Sequence, residues 1–316
     1  MVLPNFKENL AKYAKLLVST GINVQPGHTV QLTIAVDQAE LARLIVKEAY
    51  ALGAAEVLVN WSDDVIARER LVNVDVERLE QVHPQRVTEM NYLLEHKSSR
   101  LVVLSDDPGA YDGVDPEKLS RSARAISQAL NPMRQATQAN KISWTLGAAS
   151  GLEWAKKVFP NATSDEEAVD LLWDQIFKTC RIYEEDPIKA WEEHEARLVA
   201  KAKVLNDEQF VKLHYTAPGT DLVLGMPKNH LWEAAGSINA QGEKFIANMP
   251  TEEVFTAPDY RVADGYVTST KPLSYNGNII EGIKVTFKDG EIVDVCFVFF
   301  DFFFFFKQKT AYEIGM

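Results

Sequence analysis

The sequence predicts an α/β protein: an N-terminal domain with a doubly wound, mainly parallel sheet, followed by an α+β, β-rich domain. Three observations carry this. In the first half, short runs of near-continuous apolar or β-branched residues alternate with amphipathic helical stretches, the pattern of a sheet covered on both faces. A long, strongly charged helical stretch follows, from about Asn161 to Asn206. Beyond it the chain turns into short strand-like runs set between glycines and turns.

Taken in order, residues Met1 to Gly21 place Leu10, Tyr13, Leu16 and Leu17 on one helical face. Lys and Glu interrupt the stretch, so it lacks the apolar core of a signal peptide. Thr29 to Ala35 (TVQLTIA) reads as a strand introduced by Pro26-Gly27. Asp37 and Glu40 read as a capping box for a helix whose buried stripe is Leu41, Leu44, Ile45 and Ala49 and whose end is Gly53. Glu56 to Trp61 is the next strand, and a helix-rich stretch runs from there to about His96. Leu101 to Leu104 is a buried strand, followed by a turn at Asp107-Pro108-Gly109. Pro116 to Ala129 is a helix and Lys141 to Leu146 a fourth strand. Asp165 to Lys178 carries Val169, Leu172, Trp173 and Ile176 on one face, and Pro187 to Leu205 continues as helix. In the second half Phe210 to Tyr215, Leu222 to Leu224, Lys244 to Ala247, Gly265 to Ser269, Ile279 to Phe287 and Ile292 to Val295 read as strands. Lys288-Asp289-Gly290 closes a hairpin over Ile283 to Val295. With no Gly/Ser-rich or Pro-rich linker, the expected division is 1–206, an α/β domain with its helical connection, and 207–295, the β-rich domain.

The 316 residues suffice for two cores, and a 46% hydrophobic, 25% charged composition is globular. A net charge of −12 with no Lys/Arg cluster argues against nucleic acid and against an anionic membrane surface. Two cysteines, Cys180 and Cys296, make neither a disulfide framework nor a zinc knuckle, and the expected location is cytoplasmic.

Residues 296–316 (CFVFFDFFFFFKQKTAYEIGM) stand apart, with Phe297, Phe299, Phe300 and Phe302 to Phe306 crowded together. Asp294 and Asp301 break any apolar run well short of the ~20 residues a membrane span needs. A phenylalanine run is what a stretch of T bases encodes, and KQKTAYEI reads as one frame of a common sequencing-adapter oligonucleotide. The segment is therefore expected to be a non-native tail on a chain cut off near Val295. Such a run beside an unpaired sheet edge invites aggregation.

Local motifs for chemistry are sparse. No G-x-G-x-x-G, P-loop, H-E-x-x-H or G-x-S-x-G is present. His28, His83, His96, His194, His214 and His230 form no metal-binding pair by spacing. His214 and His230 are weak candidates, and His194, inside the charged helix, is the least promising. Asp63-Asp64 and Asp106-Asp107 follow strands, where doubly wound sheets bind ligands, but turn and N-cap roles are the plainer reading. Cys180 reads as packed rather than reactive. The unusual stretch is Ala247 to Tyr260 (ANMPTEEVFTAPDY), where Glu252 and Glu253 lie between a strand and Val254-Phe255. Carboxylates in a partly apolar setting suit a hard divalent cation, or else a capping pair after Thr251 with both side chains solvated.

Asn248 to Pro258 (NMPTEEVFTAP) resembles the signature of the aminopeptidase T and aminopeptidase S family of metallopeptidases. LHYTAPG at Leu213 to Gly219, GYVTSTKPLSYNG at Gly265 to Gly277 and IKVTFKDGEIV at Ile283 to Val293 resemble other parts of it, as do TGINVQPGHTVQL and AYALGAAEVLVNW. The resemblance implies cytoplasmic two-domain enzymes that remove N-terminal amino acids from peptide substrates with two divalent metal ions, zinc or cobalt, and that form homodimers. It implies a metal-binding role for Glu253, with Glu252 a solvent-side or supporting neighbour, and makes 207–295 the first part of an incomplete catalytic domain. The family's other ligands (a second Glu, two His, an Asp and a Tyr) fall beyond the point where the phenylalanine tail starts. Tyr312 and Glu313 are given no role. The copy is therefore expected to be inactive. The alternative is a non-catalytic α/β module binding a small ligand at the carboxyl ends of the parallel strands. Side-chain preference and the native metal are not legible.

Overall fold

A computed structural model describes residues 3–275, 278–299 and 302–306. The chain divides into two compact units. The first comprises 1–196 and 235–252, the second 197–234 and 253–316. The hairpin at 236–246 and the start of the glutamate-bearing stretch thus return to the first unit.

The elements run α1 (Phe6–Leu16), β1 (Thr29–Ala35), α2 (Ala39–Ala51), β2 (Glu56–Ser62), α3 (Asp64–Asn73), α4 (Val76–Leu79), α5 (Pro84–Glu95) and β3 (Ser98–Leu104). Next come α6 (Pro116–Ala129), α7 (Asn131–Gln138), β4 (Ser143–Ala148), α8 (Leu152–Val158), α9 (Asp165–Thr179) and α10 (Pro187–Glu208). The remainder is strand: β5 (Lys212–Ala217), β6 (Thr220–Gly225), β7 (Gly236–Ile238), β8 (Lys244–Ile246), β9 (Asp259–Thr268), β10 (Leu273–Tyr275), β11 (Asn278–Lys288), β12 (Glu291–Phe299) and β13 (Phe302–Phe306).

In the first unit four parallel strands take the order β2-β1-β3-β4, the doubly wound arrangement expected. On β1, Val30, Leu32 and Ile34 are fully buried on one face, and α2 packs against this strand. The opposite face carries Gln31, which donates to Glu89 of α5, and Leu58 of β2 packs on the cluster Met90, Leu93, Met133 and Ile142. Helices therefore cover both faces. The outer edge of β4 is closed without a fifth full strand. The Leu146 N–H donates to the Ala247 carbonyl and Met249 N–H to the Leu146 carbonyl, while the Tyr13 hydroxyl bonds both backbone groups of Ala148. Edge groups that would otherwise be orphaned are thus satisfied.

Two local expectations change. The segment Val36–Gln38 is a 3-10 turn, and α2 begins at Ala39 with no side-chain cap, so Asp37 and Glu40 do not form a capping box. Gln38, beside Asp37, is buried and its amide donates to the Ser105 hydroxyl and the Ser150 carbonyl. β3 starts at Ser98 rather than Leu101. Its polar start is buried because the Ser98 hydroxyl donates to the Leu93 carbonyl and Arg100 donates to Gln31. Gly53, with φ +93°, ends α2 as expected.

The second unit holds a seven-stranded antiparallel sheet, β13-β12-β11-β9-β6-β5, with β10 on β11. Asp289 and Gly290 both have positive φ, so the β11–β12 turn is the predicted hairpin turn. β9 begins at Asp259, well before Gly265, and β12 runs on to Phe299. Of the tail, residues 300–301 and 307–316 lie outside the described residues, as do Met1, Val2 and the 276–277 pair.

Candidate functional site

The glutamate-bearing stretch is not a helix. Residues 250–258 are irregular apart from a bridge between Phe255 and Glu233 in the second unit, so the capping-pair reading of Glu252 and Glu253 has no helix to cap. Its first half, Asn248 to Glu252, belongs to the first unit, and its second half opens the second. The Thr145 hydroxyl donates to the Ile246 carbonyl, Asn248 bridges Leu146 in parallel, and Met249 is buried before a cis Met249–Pro250 bond.

The helical region supplies the other side. At the end of α9, Arg181 sits at φ 61° and its Nη2 donates to Glu252 Oε1 at 2.7 Å. The guanidinium lies 4.8 Å from the Trp191 ring centroid, and its Nη1 donates to the Thr179 carbonyl. Trp191 is fully buried, with Nε1 donating to the Cys180 carbonyl at 2.8 Å, which fixes the ring under the guanidinium. One turn on, the buried His194 donates from Nε2 to the Thr251 carbonyl at 2.8 Å and lies 3.4 Å from Glu252 Oε2. Its ring meets Trp191 edge-on at 5.4 Å. Next to it, Glu195 pairs with Lys244 of β8 at 2.7 Å. Thr251-Glu252 is therefore gripped by Arg181 and His194, 71 and 57 residues away in sequence.

Other expected candidates fall elsewhere. His214 pairs with Asp221 at the surface, 2.7 Å apart. His230 is buried, with Nδ1 donating to the Pro227 carbonyl. Asp63 accepts from the Ile66 N–H as the N-cap of α3, and Asp107 accepts from the Gly109 N–H, the turn roles expected of them. Cys180 is buried, and burial pushes its thiol up to about 12. It is packed, not reactive.

At the carboxyl ends of β2 and β3 a cleft of 360 Å³ is lined by Asp64, Val65, Arg68, Asp107, Gly109, Ala110 and Asp112. Desolvation, and next the charge of Asp64, raise the neighbouring Asp106 carboxyl above the usual carboxylate range. Arg68 is turned to the Ala110 carbonyl and Asp64 to the Asp107 N–H, so the loops tie themselves together.

Residues 6–296 match the thermophilic metalloprotease (M29) family, and the chain belongs to that family of metallopeptidases. It is 72% identical over 295 residues to Aminopeptidase PepS of Streptococcus thermophilus, covering 93% of this chain and 71% of that protein. Aminopeptidase AmpS of Bacillus subtilis strain 168 is 42% identical, with coverage of 93% and 71%. Wild-type AmpT from Thermus thermophilus has the same fold, with a TM-score of 0.86 at 35% identity over 92% of this chain and 72% of that one.

A metalloprotease implies divalent metal. Among the described residues no three His, Cys, Asp or Glu side chains gather where they could hold an ion. The Glu252 carboxylate, one half of the adjacent pair, already faces two nitrogen donors. The described residues do not make up a metal centre.

Proposed function

We propose that this chain represents a metallo-aminopeptidase that releases N-terminal amino acids from peptides, with Glu253 as a metal-binding carboxylate. The carrying observation is the Asn248–Pro258 stretch inside a family match spanning 6–296. The names of the relatives support the substrate class. We assign the reaction to a pair of divalent ions, zinc or cobalt, in the complete enzyme, where such ions activate water near neutral pH.

A dinuclear site needs several ligands per ion, so Glu253 cannot supply one alone. The match stops at residue 296, where the phenylalanine-rich segment begins, which supports reading 296–316 as foreign to the family's fold. On that reading 207–295 is the first part of the catalytic domain and this polypeptide is inactive. A homodimer and a cytoplasmic location belong to the same reading. Both cysteines are free, and no helix among the described residues is long and apolar enough to cross a membrane.

The decisive experiment reads the genomic sequence past codon 295 and assays its product with Zn²⁺ or Co²⁺. EDTA-sensitive release of N-terminal residues, lost in Glu253→Gln, is expected. A product without metal-dependent peptidase activity would sink the reading. The second reading, a small-ligand binding module, is favoured only by the cleft at the ends of β2 and β3. It predicts no His or acidic ligands in the codons that follow.

A further inference from the structure

The two sheets differ in what covers them. In the first unit Val30, Leu32 and Ile34 of β1 are fully buried, with α2 packed on the strand. The antiparallel sheet of the second unit has one apolar and one polar face. Residues opposite each other on neighbouring strands share a face, and successive residues alternate between faces. Tyr215 stands opposite Leu222, Val267 opposite Val285 and Phe287 opposite Ile292. Gly265 stands opposite both Leu222 and Phe287, which puts all six on one side. The other side carries His214, paired with Asp221 at 2.7 Å, and Lys284, 4.9 Å from the Tyr266 ring centroid. Over the paired stretches of β5, β6 and β9 and from Lys284 to Phe287, no charged residue falls on the apolar side. Yet among the described residues only Leu222, at 9%, and Ala263, at 6%, are buried there, while Tyr215 is 48% and Ile292 51% exposed. A two-faced sheet is stable in water only when its apolar face packs on a second layer. Within the described second unit the principal neighbours of these strands are one another.

A charge-free face suits a permanent layer rather than a partner that comes and goes, whose interface would be as polar as ordinary surface. The relatives supply a source for that layer. This chain covers 71% of PepS, 71% of AmpS and 72% of AmpT, so each has further polypeptide that it does not match. We infer that the face bearing Tyr215, Leu222 and Phe287 is the seat for the segment with which those relatives continue the second domain. The occupant is part of the same chain in the complete protein, and the side bearing His214 and Lys284 is left to solvent. This rests on the reading of 207–295 as the first part of the catalytic domain.

The test is hydroxyl-radical footprinting of two polypeptides: the chain as written, and residues 1–295 continued by the segment that follows the matched region in Aminopeptidase PepS. Tyr215 and Tyr266 lie on opposite faces of one sheet and serve as signal and control. Labelling of Tyr215 and Phe287 should fall at least about fivefold in the continued chain, because a close-packed layer excludes solvent, while Tyr266 changes less than about twofold. Tyr215→Asp and Ile292→Asp should leave the Tm of the chain as written within about 2 °C, since both side chains already meet water. In the continued chain each buries a carboxylate and should lower Tm by at least about 4 °C. Lys284→Glu, on the solvent side, should move neither Tm by more than about 2 °C. Equal labelling of Tyr215 in the two polypeptides, or protection of Tyr266 in its place, overturns the seat. Protection of Tyr215 in the chain as written that grows with protein concentration assigns the face to a second copy and overturns it too. Protection of Tyr215 in a continued chain without metal-dependent peptidase activity supports the seat and removes the peptidase reading. Activity with Tyr215 still fully labelled does the reverse.

Discussion

Replacing Tyr13 by phenylalanine removes one oxygen atom and orphans two backbone groups. Tyr13 is fully buried, and its hydroxyl donates to the Ala148 carbonyl at 2.9 Å and accepts from the Ala148 N–H at 3.0 Å. Ala148 ends β4 on the outer side of the sheet, where no further strand can take over. Burial raises the hydroxyl's pKa well above the usual tyrosine value, so it remains a donor at any pH where the protein is handled. Each orphaned, partly buried group costs ~1–2 kcal/mol after partial relaxation, giving about 2–4 kcal/mol for the pair. At ~2–4 °C per kcal/mol for a unit of this size, Tm should fall by roughly 4–16 °C. The assay is urea unfolding followed by circular dichroism, with an unchanged m-value showing that only stability moved. Tyr183→Phe is the control. Tyr183 is half-exposed and its hydroxyl donates to Asp174 at 2.9 Å, so its loss should cost under ~1 kcal/mol. A Tyr13→Phe loss no larger than the control's would refute the account of how β4's edge is closed.

Three further predictions concern other elements. Burial pushes the Cys180 thiol from its ordinary 9.0 up to about 12, so its contribution is complete below pH 9 and lost as pH rises toward 12. Between pH 9 and 10 it should add a slope of up to ~1.4 kcal/mol per pH unit, absent in Cys180→Ala, and the native thiol should resist DTNB until unfolding. Gly265 on β9 has φ +113°, and a Cβ there would overlap the Asp221 carbonyl oxygen of β6, so Gly265→Ala should cost more than ~2 kcal/mol in urea unfolding. Asp63→Ala removes the oxygen that accepts from Ile66 N–H and should cost about 1 kcal/mol, recovered in large part by Asp63→Ser or Asp63→Asn.

The fold was most legible where burial follows chain periodicity. TVQLTIA became β1 with both bounds intact because its alternate residues face two covered sides of one sheet. The helix at Pro116 to Ala129 was equally plain, with Asp115 accepting from Glu117 N–H at its start. Elements faded where polar residues do buried work. The buried Ser98 and Ser99 hid the start of β3, whereas on β9 the polar residues that hid its first half are Asp259, paired with Arg261, and the exposed Arg261 and Asp264. The capping box failed because Gln38 was drawn inward to Ser105 and Ser150, which spent the turn that Asp37 would have capped. At the site, the glutamate pair stood out locally but its environment did not. His194 looked like one more polar residue in a charged helix, and no spacing rule connects Arg181 with Glu252 or His194 with Thr251 across 71 and 57 residues. The nearest signal was the Trp191 to His194 spacing on one helical face, beside an arginine just past the end of α9.

Under the proposed function Glu253 is a metal-binding carboxylate, and among the described residues no three His, Cys, Asp or Glu side chains gather to hold an ion. Hydrolysis of an aminoacyl-p-nitroanilide by the chain as written, with Co²⁺ or Zn²⁺ supplied, tests it most directly. No release of p-nitroaniline above the metal-only control is expected. EDTA-sensitive turnover that disappears in Glu253→Gln would contradict it.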